Sequence, residues 1–529
     1  MVRRPPVPSV IKDVFDDPRA RTGLFVGALA LAAAALDPKV WGPALPSVQA
    51  AVRERPAVET ITLLAAVASS AILLLGGAIG DTARARPIIL GGLVVELVAS
   101  VVSLLVPSGG LFVASRFLGY AASAFVIPVS IALVATSYQG IARATAIGLA
   151  YGAYSAAGAA APILLQVIPD QRAPAFIVAI VVCAVAIWFA RRRIPELTRP
   201  TTAERPYVVG TAIWAFGIIT LTVGLTWIGG GLDNPVRWAL VIGGFAVLGL
   251  GLLHDRRRRG PAEGPVRIDR RPVAVAIFVG IVIAIAQTVP MLELPLYFRL
   301  VMGYGPVAAV VAVAPLFAAL VLAGPVAGYL LGHYSPRTLV GAGVVAVGLA
   351  NLLLFLASTP SVGYLAFVVP CLLIGAGFVI ATTVRTAIIF ASVPRGLPAT
   401  AAALNESSIS VGNRVGIVLV TAIVADRALA AYTASVAGLP QDEAQRAIAA
   451  FRDLLTAVGT PSFSQIASAI NPADVRPFLE AYASGVRVAF ALGGLAAVIA
   501  GAVAWVALGP RDPLTSVWEH SDEREPAQG

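Results

Sequence analysis

Residues 22–51 read TGLFVGALALAAAALDPKVWGPALPSVQAA. The run up to Leu36 carries no charge, and the stretch then meets Asp37, Pro38, Lys39 and Pro43 before the tripeptide Ala44-Leu45-Pro46. About 20 apolar residues suffice to cross roughly 30 Å of hydrocarbon, so the stretch is long enough to span a membrane. A carboxylate at the centre of such a helix costs roughly 2.5–3.5 kcal/mol on insertion scales, and chains tolerate it mostly where it faces a bundle interior or a wet cavity. The prolines carry the same message, because a helix broken at membrane depth survives only where its freed backbone groups find other partners. Two readings of Asp37 stay open at this point: a group facing a cavity, or a group solvated at the interface.

The rest of the chain is built on the same plan. Hydrophobic residues make up 58% of its 529 residues and charged ones 12%, about half the charged share of soluble domains. A polytopic membrane protein follows. The net charge of +10 sits in short arginine clusters between apolar runs, which is the pattern of cytoplasmic loops and not of a nucleic-acid interface. Cys183 and Cys371 both fall inside apolar runs, so neither a disulfide nor a metal site is expected.

Apolar windows and their punctuation place spans at 22–50, 58–80, 88–106, 110–137, 142–168, 173–191, 207–229, 236–254, 273–298, 305–332, 337–357, 362–391, 398–426 and 485–508. The layout is a tail (1–21), a six-helix bundle (22–191), linkers with two inserted helices (192–271, helices at 207–229 and 236–254), a second six-helix bundle (272–509) and a tail (510–529). Arg84, Arg86, Arg143, Arg191 to Arg193, Arg256 to Arg259, Arg337 and Arg395 then share one side, so both termini are expected in the cytoplasm. Residues 431–484 hold no apolar span; an amphipathic helix beginning QDEAQRAIAAFRDLLTAV and a second short one near DVRPFLEAYA are expected there. That segment is either a solvated loop or a cap over the outer mouth. Gly77 and Gly80-Asp81 before Arg84, and Gly328 and Gly332-His333 before Arg337, punctuate equivalent hairpins of the two blocks, as internal repeats of transporters do.

Several motifs, in order, resemble the major facilitator superfamily, and within it the 14-helix drug:proton antiporter branch. Asp37 followed by Ala44-Leu45-Pro46 is similar to that branch's first-helix motif. Gly77 and Asp81 match two positions of the G-x-x-x-D-R-x-G-R-K loop signature, with Thr82 where Arg is usual and Arg84 where Gly is. Arg116 with Gly119 and Pro128, Pro295-Leu296-Tyr297 before Gly303 and Pro315, Val393-Pro394-Arg395-Gly396, and Gly412 with Gly416 continue the likeness. The helix-5 signature G-x-x-x-G-P-x-x-G-G is altered: Pro162 is kept, but Ala161, Leu165 and Gln166 stand where its glycines are usual, and Gly152, Gly158 and Pro162 are the expected packing residues of that helix. The resemblance implies an all-α fold of 14 transmembrane helices, two six-helix bundles plus a two-helix insert, and a proton-coupled exporter of small amphipathic molecules.

The ionisable residues give this a chemistry. Asp37 and Glu96 are the acids of the first half and Arg116 the candidate counter-charge, a proton-coupling set; Arg116 and Glu96 have packing roles as the alternative. Gly77, Asp81, Arg84 and Arg86 form the expected cytoplasmic gate. In the second half Glu293, Tyr297, Arg385, Asn405, Glu406 and Asn413, with Arg414, are expected to line a polar substrate cavity of two acids and two bases; an Arg414 or Arg385 that snorkels to an interface is the alternative. Three scattered histidines and glycines that punctuate helices offer no catalytic or phosphate-binding constellation, so no enzyme activity and no cofactor is expected. The expected partners are a small amphipathic substrate, protons and the lipid bilayer, with no nucleic acid, the protein acting as a monomer in a bacterial cytoplasmic (inner) membrane. A lipid or glycolipid exporter of the same fold, and a non-transporting membrane sensor or assembly partner, remain as alternatives.

Overall fold

The computed structural model describes residues 14–51, 71–105, 109–166, 172–193, 208–226, 235–257, 270–359, 362–393, 396–457 and 472–509. These residues are helical almost throughout and contain no strand. The first bundle is α1 (Pro18–Ala51), α2 (Ala71–Gly80), α3 (Ala85–Leu105), α4 (Gly109–Ser137), α5 (Gly140–Gln166) and α6 (Arg172–Arg193). A hairpin of α7 (Val208–Thr226) and α8 (Pro235–Arg257) follows. The second part holds α9 (Arg270–Leu300), α10 (Pro306–Val311), α11 (Ala314–Leu331), α12 (Pro336–Ala357), α13 (Leu365–Ser392), α14 (Pro398–Ser435), α15 (Gln441–Ala457) and α16 (Pro472–Leu508). Among the described residues nine helices are long and apolar enough to cross a membrane, with shorter apolar helices at Ala71–Gly80, Ala212–Leu221 and Trp238–Gly251. The chain is a multi-pass membrane protein.

Helix α1 packs on α4, α5 and α6, and α3 on α4 and α6, which closes the first bundle. In the second, α16 joins α9, α12 and α14, and α13 joins α11 and α12. The α7–α8 hairpin pairs with itself and touches α14 through α7. The bundles meet where α5 lies against α11 and where α2 and α4 lie against α14. Gly148 and Gly324 set the first of these contacts: a Cβ on either would strike the backbone of the other. Small residues let membrane helices approach this closely.

Three expectations change. The span expected at 305–332 is two helices, α10 and α11, separated at Ala312 and Val313. Pro315 is the reason: it lacks an N–H, and α11 restarts with it in its first turn. Helix α14 runs nine residues beyond its expected end at 426, through the alanine-rich ADRALAAYTAS. The stretch DVRPFLEAYA is not a separate helix but the first turns of α16, which starts at Pro472. α15 is helical over 441–457, where the amphipathic pattern predicts it. It is pinned by Phe451, 1% exposed, whose ring stacks on Tyr432 at 4.1 Å and meets Phe478 at 5.2 Å.

Candidate functional site

The turn after α2 carries the first element of the site. Helix α14 begins with Leu397 at its N-cap and Pro398 next, so no local side chain caps its first amides. The first N–H groups of a helix have no partner of their own within it. Asp81, from the other bundle, supplies one: Oδ1 accepts from the Ala399 N–H at 2.7 Å and Oδ2 from the Thr400 N–H at 2.9 Å. Burial pushes the Asp81 carboxyl up to about 6, against the pull of those hydrogen bonds. Gly77 lets the two helices close: a Cβ there would sit 2.7 Å from the Ala399 carbonyl oxygen. Arg86 is not part of this latch. Its Nη2 donates to the Arg191 carbonyl at the end of α6, and Arg84 is exposed.

Helix α14 carries the second element seven residues further on, about 10 Å along the axis. The Tyr151 hydroxyl of α5 donates to Glu406 Oε1 at 2.5 Å, and Asn405 Nδ2 donates to the Tyr151 oxygen at 2.7 Å and to Glu406 Oε1 at 3.0 Å. Below this bridge Arg385 of α13 is wholly buried. Its Nη1 donates to Ser408 Oγ at 2.6 Å and to the Ala276 carbonyl at 3.1 Å, and its Nη2 to the Asn405 carbonyl at 3.3 Å. Gly280 of α9 makes room, because a Cβ there would fall on the Arg385 guanidinium. The result is a buried acid and a buried base on one bundle, joined to a phenol on the other. Asn413 lies higher on α14, half-buried, and accepts from Thr288 Oγ1 at 3.3 Å.

Other expected site residues go elsewhere. Arg116 is fully buried and turned toward α3 and α6: its Nε donates to Ser103 Oγ at 2.9 Å and its guanidinium lies 5.2 Å from the centre of the Phe176 ring. Glu96 shares the buried face of α3 with Ser100 and Ser103, and among the described residues the packing of α3 is on α1, α4 and α6. The Asp37 side chain and the Pro162 side chain lie outside the described residues, as do Pro394 and Arg395. Glu293 accepts from the Tyr482 hydroxyl at 2.7 Å. Tyr297 is packed against Phe298 and Phe367. Tyr297 and Tyr482 sit in the apolar core of the second bundle, whereas Arg385 is held by Ala276, Asn405 and Ser408. In α5 the close approach lies at Thr145, Gly148 and Gly152, where a Cβ on the last would sit 3.2 Å from the Val321 carbonyl. Gly158 is buried a turn and a half further along.

The family model described as Major Facilitator Superfamily matches residues 27–417. The chain belongs to the major facilitator superfamily. It is therefore a member of a transporter family and not an enzyme. No curated protein matches its sequence. Among solved structures it is similar to the human organic anion transporter MFSD10 (TETRAN), with a TM-score of 0.60 at 14% identity over 92% of this chain and 100% of that one. It is also similar to the proton:xylose symporter XylE, with a TM-score of 0.56 at 12% identity over 94% and 99%. A bacterial homolog of the human lysosomal transporter Spinster gives 0.50 at 18% identity over 97% and 100%. At these identities the likeness is one of major facilitator fold.

Tyr151 escaped the sequence reading because a tyrosine in an apolar helix reads as packing. The Ala399 and Thr400 amides left one signal, an uncapped helix start at Leu397-Pro398.

Proposed function

We propose that this protein is a proton-coupled exporter of amphipathic small molecules, of the 14-helix drug:proton antiporter branch, working by alternating access in a bacterial cytoplasmic membrane. Both termini face the cytoplasm in this reading, and the Asp81 turn is the cytoplasmic latch. The observation that carries it is the Tyr151–Glu406 hydrogen bond: a buried carboxylate of one bundle held by a hydroxyl of the other. A charged carboxylate inside a helical bundle is tolerated only when paired, and parting the bundles removes Tyr151 from it. Rocking the bundles thus changes the cost of charge on Glu406, which is the condition for tying proton uptake to conformation. Asp37 is the second acid of the proposal.

Liposomes loaded with the purified protein and a fluorescent amphipathic substrate test it under an imposed pH gradient. Glu406→Gln abolishes gradient-driven accumulation while leaving substrate exchange without a gradient. Full gradient-driven transport by Glu406→Gln would refute the assignment of Glu406, and no gradient dependence in the native protein would refute proton coupling altogether.

A further inference from the structure

Arg385 and Arg414 stand on α13 and α14 of the second bundle, and they are used differently. Arg385 is wholly buried, with Ser408, Ala276 and Asn405 taking its terminal nitrogens. Arg414 stands eight residues beyond Glu406 on α14, about 12 Å along the axis. It is half-buried among the helices. Among the described residues no hydrogen bond or ion pair holds its guanidinium. Its electrostatic neighbours are Tyr120 of α4 and Tyr154 of α5, both on the opposite bundle, and Tyr154 is in turn within reach of Glu406.

Charge and chemistry define what fits there. Arg385 and Glu406 lie close enough to offset one another, which leaves Arg414 as the positive charge in excess among the described residues of this wall. A guanidinium stays protonated and presents a planar fork of donors that matches two oxygens of one anionic group. Phenol hydroxyls add donors from the facing side. An arginine is expensive at this depth in a membrane protein unless something supplies its counter-charge, and a carrier obtains that from its cargo.

We infer that Arg414 anchors an anionic head group, so that the cargo is an amphipathic organic anion such as a carboxylate, sulfonate or phosphate on an apolar body. The inference rests on the reading of the space between the bundles as the substrate path.

Calorimetric titration of the purified full chain in a neutral maltoside detergent with octanoate, octanol and octyltrimethylammonium tests it. The native protein is expected to prefer octanoate over both others by about tenfold or more. Arg414→Gln should weaken octanoate about 10- to 100-fold, the range for losing a charged hydrogen-bond partner, and leave octanol unchanged. Arg414→Lys should restore part of the preference, and Tyr154→Phe, which keeps the ring, should lower octanoate affinity several-fold. Native-like octanoate binding by Arg414→Gln, or a native preference for the ammonium, would overturn the inference. Repeating the titration in phosphatidylcholine nanodiscs with and without phosphatidylglycerol distinguishes sources: competition by phosphatidylglycerol assigns the head group to a lipid, and its absence assigns it to a free anion. Binding is read without a gradient. Loss of proton coupling would therefore leave the octanoate preference standing, and loss of that preference would leave gradient-driven transport standing.

Discussion

Replacing Asp81 by alanine removes the group that caps α14 from the other bundle. Two N–H groups, those of Ala399 and Thr400, lose acceptors at 2.7 and 2.9 Å. Loss of an N-cap costs about 0.5–2 kcal/mol, and an unsatisfied buried donor costs about 1–3 kcal/mol. Water entering the gap recovers part of the second cost, so we take about 1–2 kcal/mol against the closed state. That is about a 5- to 30-fold shift of the closed-to-open ratio. Asn at 81 behaves differently. Burial is the larger influence on this carboxyl and lifts it from 3.8 to about 6, so the latch prefers the neutral acid; an amide is neutral too, but it has a single acceptor oxygen and sets its NH2 donor against the second N–H. The sign follows from the raised value: the closed state gains as pH falls from about 6 toward 4 and loses that gain as pH rises through about 6. Between pH 7.5 and 5 the native protein should move about tenfold toward closed. Spin labels on cysteines at the exposed Arg84 and Tyr334, with Cys183 and Cys371 replaced, report the separation of the bundles at this end. The distance distribution should lengthen in Asp81→Ala at all pH values and lengthen less, with no pH dependence, in Asp81→Asn. An Asp81→Ala distribution superimposable on the native one would refute the reasoning.

Two further predictions concern the contacts above the latch. Tyr151→Phe keeps the ring and deletes the hydroxyl that meets Glu406 and Asn405. Hydrogen bonds to charged groups contribute about 1.5–3 kcal/mol, so the same spin-label pair should show about a tenfold or larger move toward open, and an unchanged distribution would remove Tyr151 from the closure. Phe451→Ala should cost about 3 kcal/mol locally and release α15, seen as faster trypsin cleavage at the exposed Arg446 and Arg452 with the rest of the chain intact; native-like cleavage rates would count against the pinning role of the ring.

Most spans were legible because a membrane helix announces itself by length and apolarity, which need no tertiary information. Helix α1 runs over Pro18–Ala51 where apolarity predicts 22–50, and α12 over Pro336–Ala357 where it predicts 337–357. What failed was structure held by distant partners. The first turns of α16 are polar enough to read as loop, and they are fixed by Phe478 on Phe451 and by Tyr482 on Glu293. The site divides the same way. Asp81 and Glu406 stand out as acids in apolar surroundings, but the groups they meet are backbone amides, marked only by the uncapped start at Leu397-Pro398, and a tyrosine that reads as packing. Arg116 is conspicuous too, yet which helix face it takes, and so its contact with Ser103 of α3, depends on packing that periodicity alone does not fix.

Helix α14 bears Ala399, Ala403 and Glu406 at spacings of four and three, one stripe along a rigid rod. Along that stripe lie the capped amides, the seats of Gly77 and the acid gripped by Tyr151. A tilt of about 20° about Glu406 would carry Ala399 about 4 Å, well past hydrogen-bond reach. The capped amides can therefore part while the grip at Glu406 still holds, and because the rod is rigid the swing of one end is carried to the other without any intervening relay of side chains.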